Sequence, residues 1–159
     1  THERSSAASD VYKRQMANTE SFFHTHCEEI IGSYDPNDKI VTPKGIGEEH
    51  FIEANTPLEY KIRFQNTGND TAFQVILVDT LDVAHLDIST FETLNSSHDY
   101  SLEIVDGEIL RFTFDNILLV DSATNEPESH GFVSFKINQM PDNELGTVVL
   151  RTYIMISHH

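Results

Sequence analysis

The chain reads as all-β: an immunoglobulin-like two-sheet antiparallel β-sandwich of about seven strands, behind a disordered N-terminal segment. Three observations predict this. Leu58, Tyr60, Ile62 and Phe64 alternate with Glu59, Lys61, Arg63 and Gln65. A period of two buries one face of a strand and leaves the other in water. Asp106-Gly107 stands between two strand-like runs, and a type I′ hairpin turn favours this pair because both central residues need positive φ. No segment carries apolar residues at a helical period.

The elements follow in chain order. Residues 1–29 form a leader outside the fold, and residues 30–159 form the β-sandwich module. Within the leader, THERSSAASDVYKRQ (residues 1–15) has no apolar period and resembles a translated cloning or adapter scar. Residues 16–29 are polar with two Phe and read as the tail of something upstream. The pattern is β from Lys39 onward. The alternating strand at 58–65 runs into Asn66-Thr67-Gly68-Asn69-Asp70, a run of turn formers. Residues 73–78 are apolar on both faces, as a central strand requires. Residues 100–105 and 108–114 flank the Asp-Gly turn. Residues 115–129 read as a long polar loop with an apolar patch at 117–120. Phe132, Phe135 and Ile137 mark a further strand, and residues 147–156 a last one. The expected core is Leu58, Tyr60, Ile62, Phe64, Val75, Leu77, Leu110, Phe112, Phe114, Phe132 and Phe135. Turn signals recur about every 8–12 residues, which suits a sandwich better than a barrel. There is no internal repeat, so this is one module.

Composition narrows the function classes. The 159 residues are 38% hydrophobic and 9% aromatic, enough for one globular core. The net charge is −16. Residues 1–15 hold three basic and two acidic residues, and without them seven Lys and Arg face 24 Asp and Glu. Such a surface repels phosphate backbones and anionic lipid, so neither nucleic-acid binding nor membrane docking is expected. No run of about 18 apolar residues is present, so no membrane insertion is expected. Cys27 is the lone cysteine, so no internal disulfide forms: either packing alone holds the fold or Cys27 pairs outside this sequence.

Three constellations bear on chemistry. The first is the acid-amide set that begins with Asp35, Asn37 and Asp38, in IIGSYDPNDKIVTPKGIG (residues 30–47). Calcium takes about 6–8 oxygen ligands and tolerates loop geometry. These three are the candidate metal ligands, with Asn69, Asp70, Asp79, Asp82, Asp121, Asn125 and Glu126 in other loops. Asp-Pro-Asn-Asp resembles the inter-domain calcium linker of cadherins over four residues. The competing reading makes Asp and Asn turn formers that accept bonds from backbone amides. The second constellation, His24-x-His26-Cys27, lacks the second cluster that a zinc site needs. The third is Ser97-His98-Asp99. Neighbours on a strand point to opposite faces, so these three cannot form a relay. There is no Gly-x-Ser-x-Gly, no phosphate-binding glycine loop and no Trp. The expectation is therefore no enzyme and no catalytic residues.

GSYDPNDKIVTPKGIG, LEYKIRFQNTGNDTAFQVILVDTLDVAHLDISTFE, LRFTFDNILLVDS and HGFVSFKI lie in that order along the chain. Together they resemble a conserved-repeat, immunoglobulin-like β-sandwich module of unknown function. That module occurs in Bacteroidota secreted and cell-surface proteins, upstream of a type IX secretion sorting domain. The resemblance runs from about residue 30 to 149. It implies a secreted or surface location, with the signal peptide outside this sequence. It also implies a non-catalytic spacer role between an upstream effector domain and a C-terminal sorting signal. The implied partners are neighbouring domains of the same polypeptide and the secretion machinery, reached through a C-terminal domain beyond this sequence. The family supplies no catalytic residue to carry over. Residues 150–159, LRTYIMISHH, depart from the family's aromatic ending, and a reading-frame shift near Arg151 is the expected cause. The alternative function is a ligand-binding module, an adhesin or carbohydrate binder, that uses loops at one end of the sandwich.

Overall fold

Alternation along a strand decides which side chains meet the core, and strands from two sheets satisfy it against one another. The computed structural model describes residues 23–28, 37–144, 146–150 and 154–158; residues 23–28, 150 and 154–158 are described by backbone placement. Eleven strands are described: β1 (Phe23–Glu28), β2 (Asp38–Thr42), β3 (Phe51–Glu53), β4 (Leu58–Gln65), β5 (Ala72–Thr80), β6 (Leu86–Ser96), β7 (Ser101–Val105), β8 (Ile109–Leu119), β9 (His130–Gln139), β10 (Thr147–Leu150) and β11 (Ile154–His158). A 3-10 turn at Pro127–Ser129 precedes β9. No α-helix occurs among the described residues.

Two four-stranded antiparallel sheets form the sandwich, in the orders β2-β4-β9-β6 and β11-β5-β8-β7. The fold class expected from the sequence is what the structure shows, with eight sandwich strands. A third sheet, β10-β1-β3, pairs β1 parallel to β10 and antiparallel to β3. The core lies between the two larger sheets. Leu58, Tyr60, Ile62 and Phe64 point inward from β4, and Val133, Phe135 and Ile137 from β9. Val75 and Leu77 meet them from β5, with Leu110, Phe112 and Phe114 from β8. Rings bridge the sheets: Phe64 and Phe114 stand 5.1 Å apart, and Phe112 stacks on Phe135 at 6.1 Å. These spacings suit favourable aromatic pairs. Gly131 lies opposite Phe64 in the β4–β9 ladder, and a Cβ on it would fall 2.3 Å from the Phe64 ring. A side chain there and the ring cannot share the space.

The Asp-Gly hairpin forms as the turn chemistry predicts. Asp106 and Gly107 have φ of 53° and 72°, and Glu108 N–H donates to Val105 C=O at 3.2 Å. Pairing resumes at Val105 and Ile109, so Glu108 is one extra residue. Its carbonyl accepts from Leu81 N–H at 2.8 Å, which ties the hairpin to the other connection at that end.

Five expectations need correction. Residues 115–129 are not one loop, because β8 runs on to Leu119 through a bulge. Asn116 and Leu118 take φ of 52° and 49°, and the pairing jumps from Gln74–Asp115 to Ala72–Leu119. The bulge turns Leu119 back into the core, which absorbs much of the apolar patch. Phe132 is not in the core. Its strand neighbours Gly131 and Val133 face inward, so parity sends it outward, where Lys61 Nζ lies 4.0 Å over its ring. Residues 147–156 are not one strand: β10 joins the third sheet, whereas β11 pairs with β5. Residues 1–29 are not wholly outside the fold, since β1 pairs with β3 and β10. Asp79 is not in a loop; it lies on β5. The expectation for residues 73–78 does hold, with β5 flanked by β11 and β8, although Phe73 itself is exposed.

Candidate functional site

The Asp-Pro-Asn-Asp-Lys stretch leads into β2, the first strand of the sandwich. Asp35 and Pro36 lie outside the described residues, as do Arg151 and the proposed frame shift. Asn37 Oδ1 accepts from Gln65 N–H at 3.0 Å, beyond the last residue pair in the β2–β4 register. Asp38 sits opposite Arg63 in that ladder. Its carboxylate takes a forked bond from the guanidinium, with Nε at 2.7 Å and Nη2 on the second oxygen. This pair is exposed, so its attraction is screened by water and salt.

Lys39 behaves differently. Alternation turns it inward beside Val41. On the opposite sheet, Asp79 shares the inward parity of Val75 and Leu77. The two meet between the sheets. Lys39 Nζ lies 2.8 and 2.6 Å from the two oxygens of Asp79, whose side chain is fully buried. The ammonium also lies 4.5 Å from the Tyr60 ring centroid and 5.8 Å from that of Phe135. Burial pushes the Asp79 carboxyl above the usual range, against the pull of the Lys39 charge and its hydrogen bonds. The pair therefore joins β2 to β5 through the core. Three consecutive side chains, Asn37, Asp38 and Lys39, thus each tie the incoming strand to a different residue.

Of the remaining acid-amide residues, Asp70, Asp82, Asp121 and Glu126 make local contacts. Asp70 Oδ1 accepts from Thr71 N–H, and Asp82 Oδ2 lies 2.8 Å from His85 Nδ1. Asp121 accepts from Ala123 N–H, Thr124 N–H and the Thr124 hydroxyl. The bond from that hydroxyl leads in holding the Asp121 carboxyl below the usual range. Glu126 Oε1 lies 2.7 Å from His130 Nε2. Among the described residues, no three His, Cys, Asp or Glu converge as a metal site. His24, His26 and Cys27 fall on β1, whose side chains lie outside the described part.

Ser97 and His98 correct an argument made from the sequence. They lie in a bend rather than on a strand, and Ser97 Oγ comes within 2.8 Å of His98 Nδ1. The same hydroxyl accepts from Phe132 N–H at 2.8 Å, so it serves to extend the pairing beyond β6.

Sequence reasoning missed three residues that organise the structure. Asn66, read as a turn former, is buried and donates to both Asp70 C=O and Leu119 C=O while accepting from Gly68 N–H. One amide thereby joins the 66–70 turn to the end of β8. Gln139 does similar work at the end of β9, where its amide donates to Glu53 C=O and Thr56 C=O. Lys39 directly follows the candidate oxygens Asn37 and Asp38. The signal that finds it is parity: a lysine two residues before Val41, and an aspartate two after Leu77, each fall on an apolar face. Finally, a groove of ≈ 280 Å³ opens on the outer face of the β2-β4-β9-β6 sheet. Glu59, Lys61, Leu94, Asn95, Phe132 and Ser134 line it, so it offers both charges, an amide, a hydroxyl and an aromatic ring.

No curated protein matches the chain. Among solved structures, it is similar to the collagen-binding domain from a Staphylococcus aureus adhesin, at a TM-score of 0.41 and 9% identity over 80% of this chain and 98% of that one. It is also similar to the seventh ScaB type I cohesin from Pseudobacteroides cellulosolvens, at a TM-score of 0.32 and 12% identity over 65% of this chain and 82% of that one. The family model described as Domain of unknown function (DUF7619) matches residues 35–154, most of the sequence, and the chain belongs to that family.

Proposed function

We infer that this is a non-catalytic structural module, a spacer in a longer exported polypeptide that joins an upstream effector domain to a C-terminal sorting signal. The observation that carries the reading is the fastening of the incoming strand. Asn37 and Asp38 tie it to β4, and Lys39 ties it through the core to β5. A module that only had to bind a ligand does not need its first strand held at three successive side chains. A spacer does, because the direction and strength of the junction are its work. The export part of the reading is supported by the resemblance carried by residues 34–39 and 64–72, and by an acidic surface that keeps a secreted domain soluble.

Single-molecule pulling on the full chain between terminal handles tests this. One cooperative rupture is expected, and it should move to lower force when Asn37, Asp38 and Lys39 are replaced together. If β2 peels away at low force in the unaltered chain, ahead of the main rupture, the spacer reading fails.

The groove on the outer sheet face favours a second reading, a binding module. Its mixed lining suits a sugar or a polar peptide. In that case the ligand sits on a sheet face and not on the loops that sequence reasoning favoured. Glycan-array binding that disappears in Phe132→Ala, in a variant with unchanged melting, supports this reading. Equal signal from both proteins removes it.

A further inference from the structure

We propose that Lys39 and Asp79 are the precursors of an intramolecular amide bond, formed between Lys39 Nζ and Asp79 Cγ with loss of one water. The Lys39 nitrogen touches both oxygens of one carboxylate, at 2.6 and 2.8 Å, which sets it against the carboxyl carbon between them. The Tyr60 and Phe135 rings lie beside the ammonium, and the Asp79 side chain has no exposure to water.

The chemistry is self-contained. The ammonium passes one proton to the carboxylate it touches, leaving a neutral amine and a neutral acid. A low-dielectric site favours that neutral pair over two separated charges. The amine attacks Cγ, the C–N bond forms, and one carboxyl oxygen leaves as water with a proton from the nitrogen. In sum, –NH₃⁺ and –COO⁻ become –NH–CO– and H₂O. No proton, electron or co-reactant enters or leaves. A desolvated lysine is a recognised nucleophile. Two features favour the product. It replaces two buried charges, whose desolvation penalty is large, with one neutral amide, and the dry site withholds the water that reversal needs.

The position of the bond gives it a consequence. Lys39 is on β2, where the chain enters the sandwich. Asp79 is on β5, paired in register with Ile154 of β11, the last described strand. Tension entering at β2 then reaches β11 through one covalent bond and one strand pair, without unfolding what lies between. The bond itself does not depend on the spacer reading; this mechanical consequence does.

Intact-mass measurement of the full chain under denaturing conditions is the test. The folded protein should be one water lighter than its sequence, or become so on incubation. Protein kept in urea should retain the full mass. Proteolysis should release a branched peptide that joins the Lys39 and Asp79 segments. Lys39→Arg removes the nucleophile and Asp79→Ala the acceptor, so both should keep their sequence masses. Because mass does not depend on stability, a poorly folded variant leaves the result for the unaltered chain intact. Folded wild-type chain that stays at full mass overturns the proposal. So does a water loss that maps to Asp106-Gly107, where an aspartyl-glycine pair can close to a succinimide, or a loss that persists in Lys39→Arg. In pulling experiments, the 40-residue separation between Lys39 and Asp79 should be missing from the released length. A full-length release with an intact high-force rupture would refute the bond while leaving the spacer reading in place.

Discussion

Replacing Lys39 by Met separates a core ion pair from the surface contacts on either side of it. In Lys39→Met the Asp79 carboxyl stays fully buried and loses both hydrogen bonds from the ammonium. Breaking a buried pair from one side leaves an uncompensated charge, with a loss of about 3–5 kcal/mol. The neighbours set the scale. Asn37→Ala removes one acceptor from Gln65 N–H, which is about 0.5–1.5 kcal/mol. Asp38→Ala removes an exposed ion pair, about 0–1 kcal/mol. The order among three adjacent residues should therefore be Lys39 first, Asn37 second and Asp38 last, measured by urea unfolding at neutral pH. Acid should rescue Lys39→Met in part. Its buried Asp79 titrates above the unfolded value, so the native state holds a proton the unfolded chain has released, and stability falls as pH rises through that window. Pairing Lys39→Met with Asp79→Leu should restore stability to the wild-type level or above it if the native pair is ionic. If the pair is covalently joined, the double variant should stay below wild type by about 4 kcal/mol, the chain-entropy estimate for closing 40 residues. A Lys39→Met variant no less stable than Asp38→Ala would refute the core ion pair altogether.

Other tests are simpler. Gly131→Ala places a Cβ 2.3 and 2.4 Å from two atoms of the Phe64 ring, so overpacking should lower stability by about 1–3 kcal/mol, and a Phe64→Leu partner change should recover part of it. Gly107→Val meets open space at φ of 72°, so its loss of about 1–2 kcal/mol should come from backbone alone and be unaffected by changes in the core. Millimolar calcium and then chelator should leave the melting temperature unchanged, because Arg63 and Gln65 N–H already occupy Asp38 and Asn37. A calcium-dependent rise that chelator reverses would show instead that Asp35, Asn37 and Asp38 hold the ion in preference to those partners. Asp121 is held low by the Thr124 hydroxyl, so its stabilisation is full above the unfolded carboxylate value and fades as pH falls through the folded one. Thr124→Val should flatten that acid-side decline in a series of urea midpoints.

How far the sequence reaches can be followed residue by residue. The β4 alternation and the Asp106-Gly107 turn were legible because each is a local rule: side-chain parity in one, required φ in the other. Ten of the eleven expected core residues are buried, and the exception, Phe132, has the wrong parity for its strand. The same parity marks Lys39 and Asp79 as inward, but reading it needs the register and a willingness to bury charge. The bulge at Asn116–Leu118 was not legible: Asn tolerates a φ near 50°, but nothing in Asn-Ile-Leu calls for a second one at Leu118.

By itself, then, the sequence determined the class of fold, the hairpin and the inward face of β4, because these depend on neighbours within a few residues. Only the tertiary structure decided what the inward faces meet. Lys39 and Asp79 are 40 positions apart and on different sheets. Asn66 reaches Leu119 across 53. β1 finds its partners in β3 and β10, the latter more than a hundred residues away. Parity says that a side chain points inward; which residue waits there depends on strand order, and strand order is set by the burial of the whole core at once.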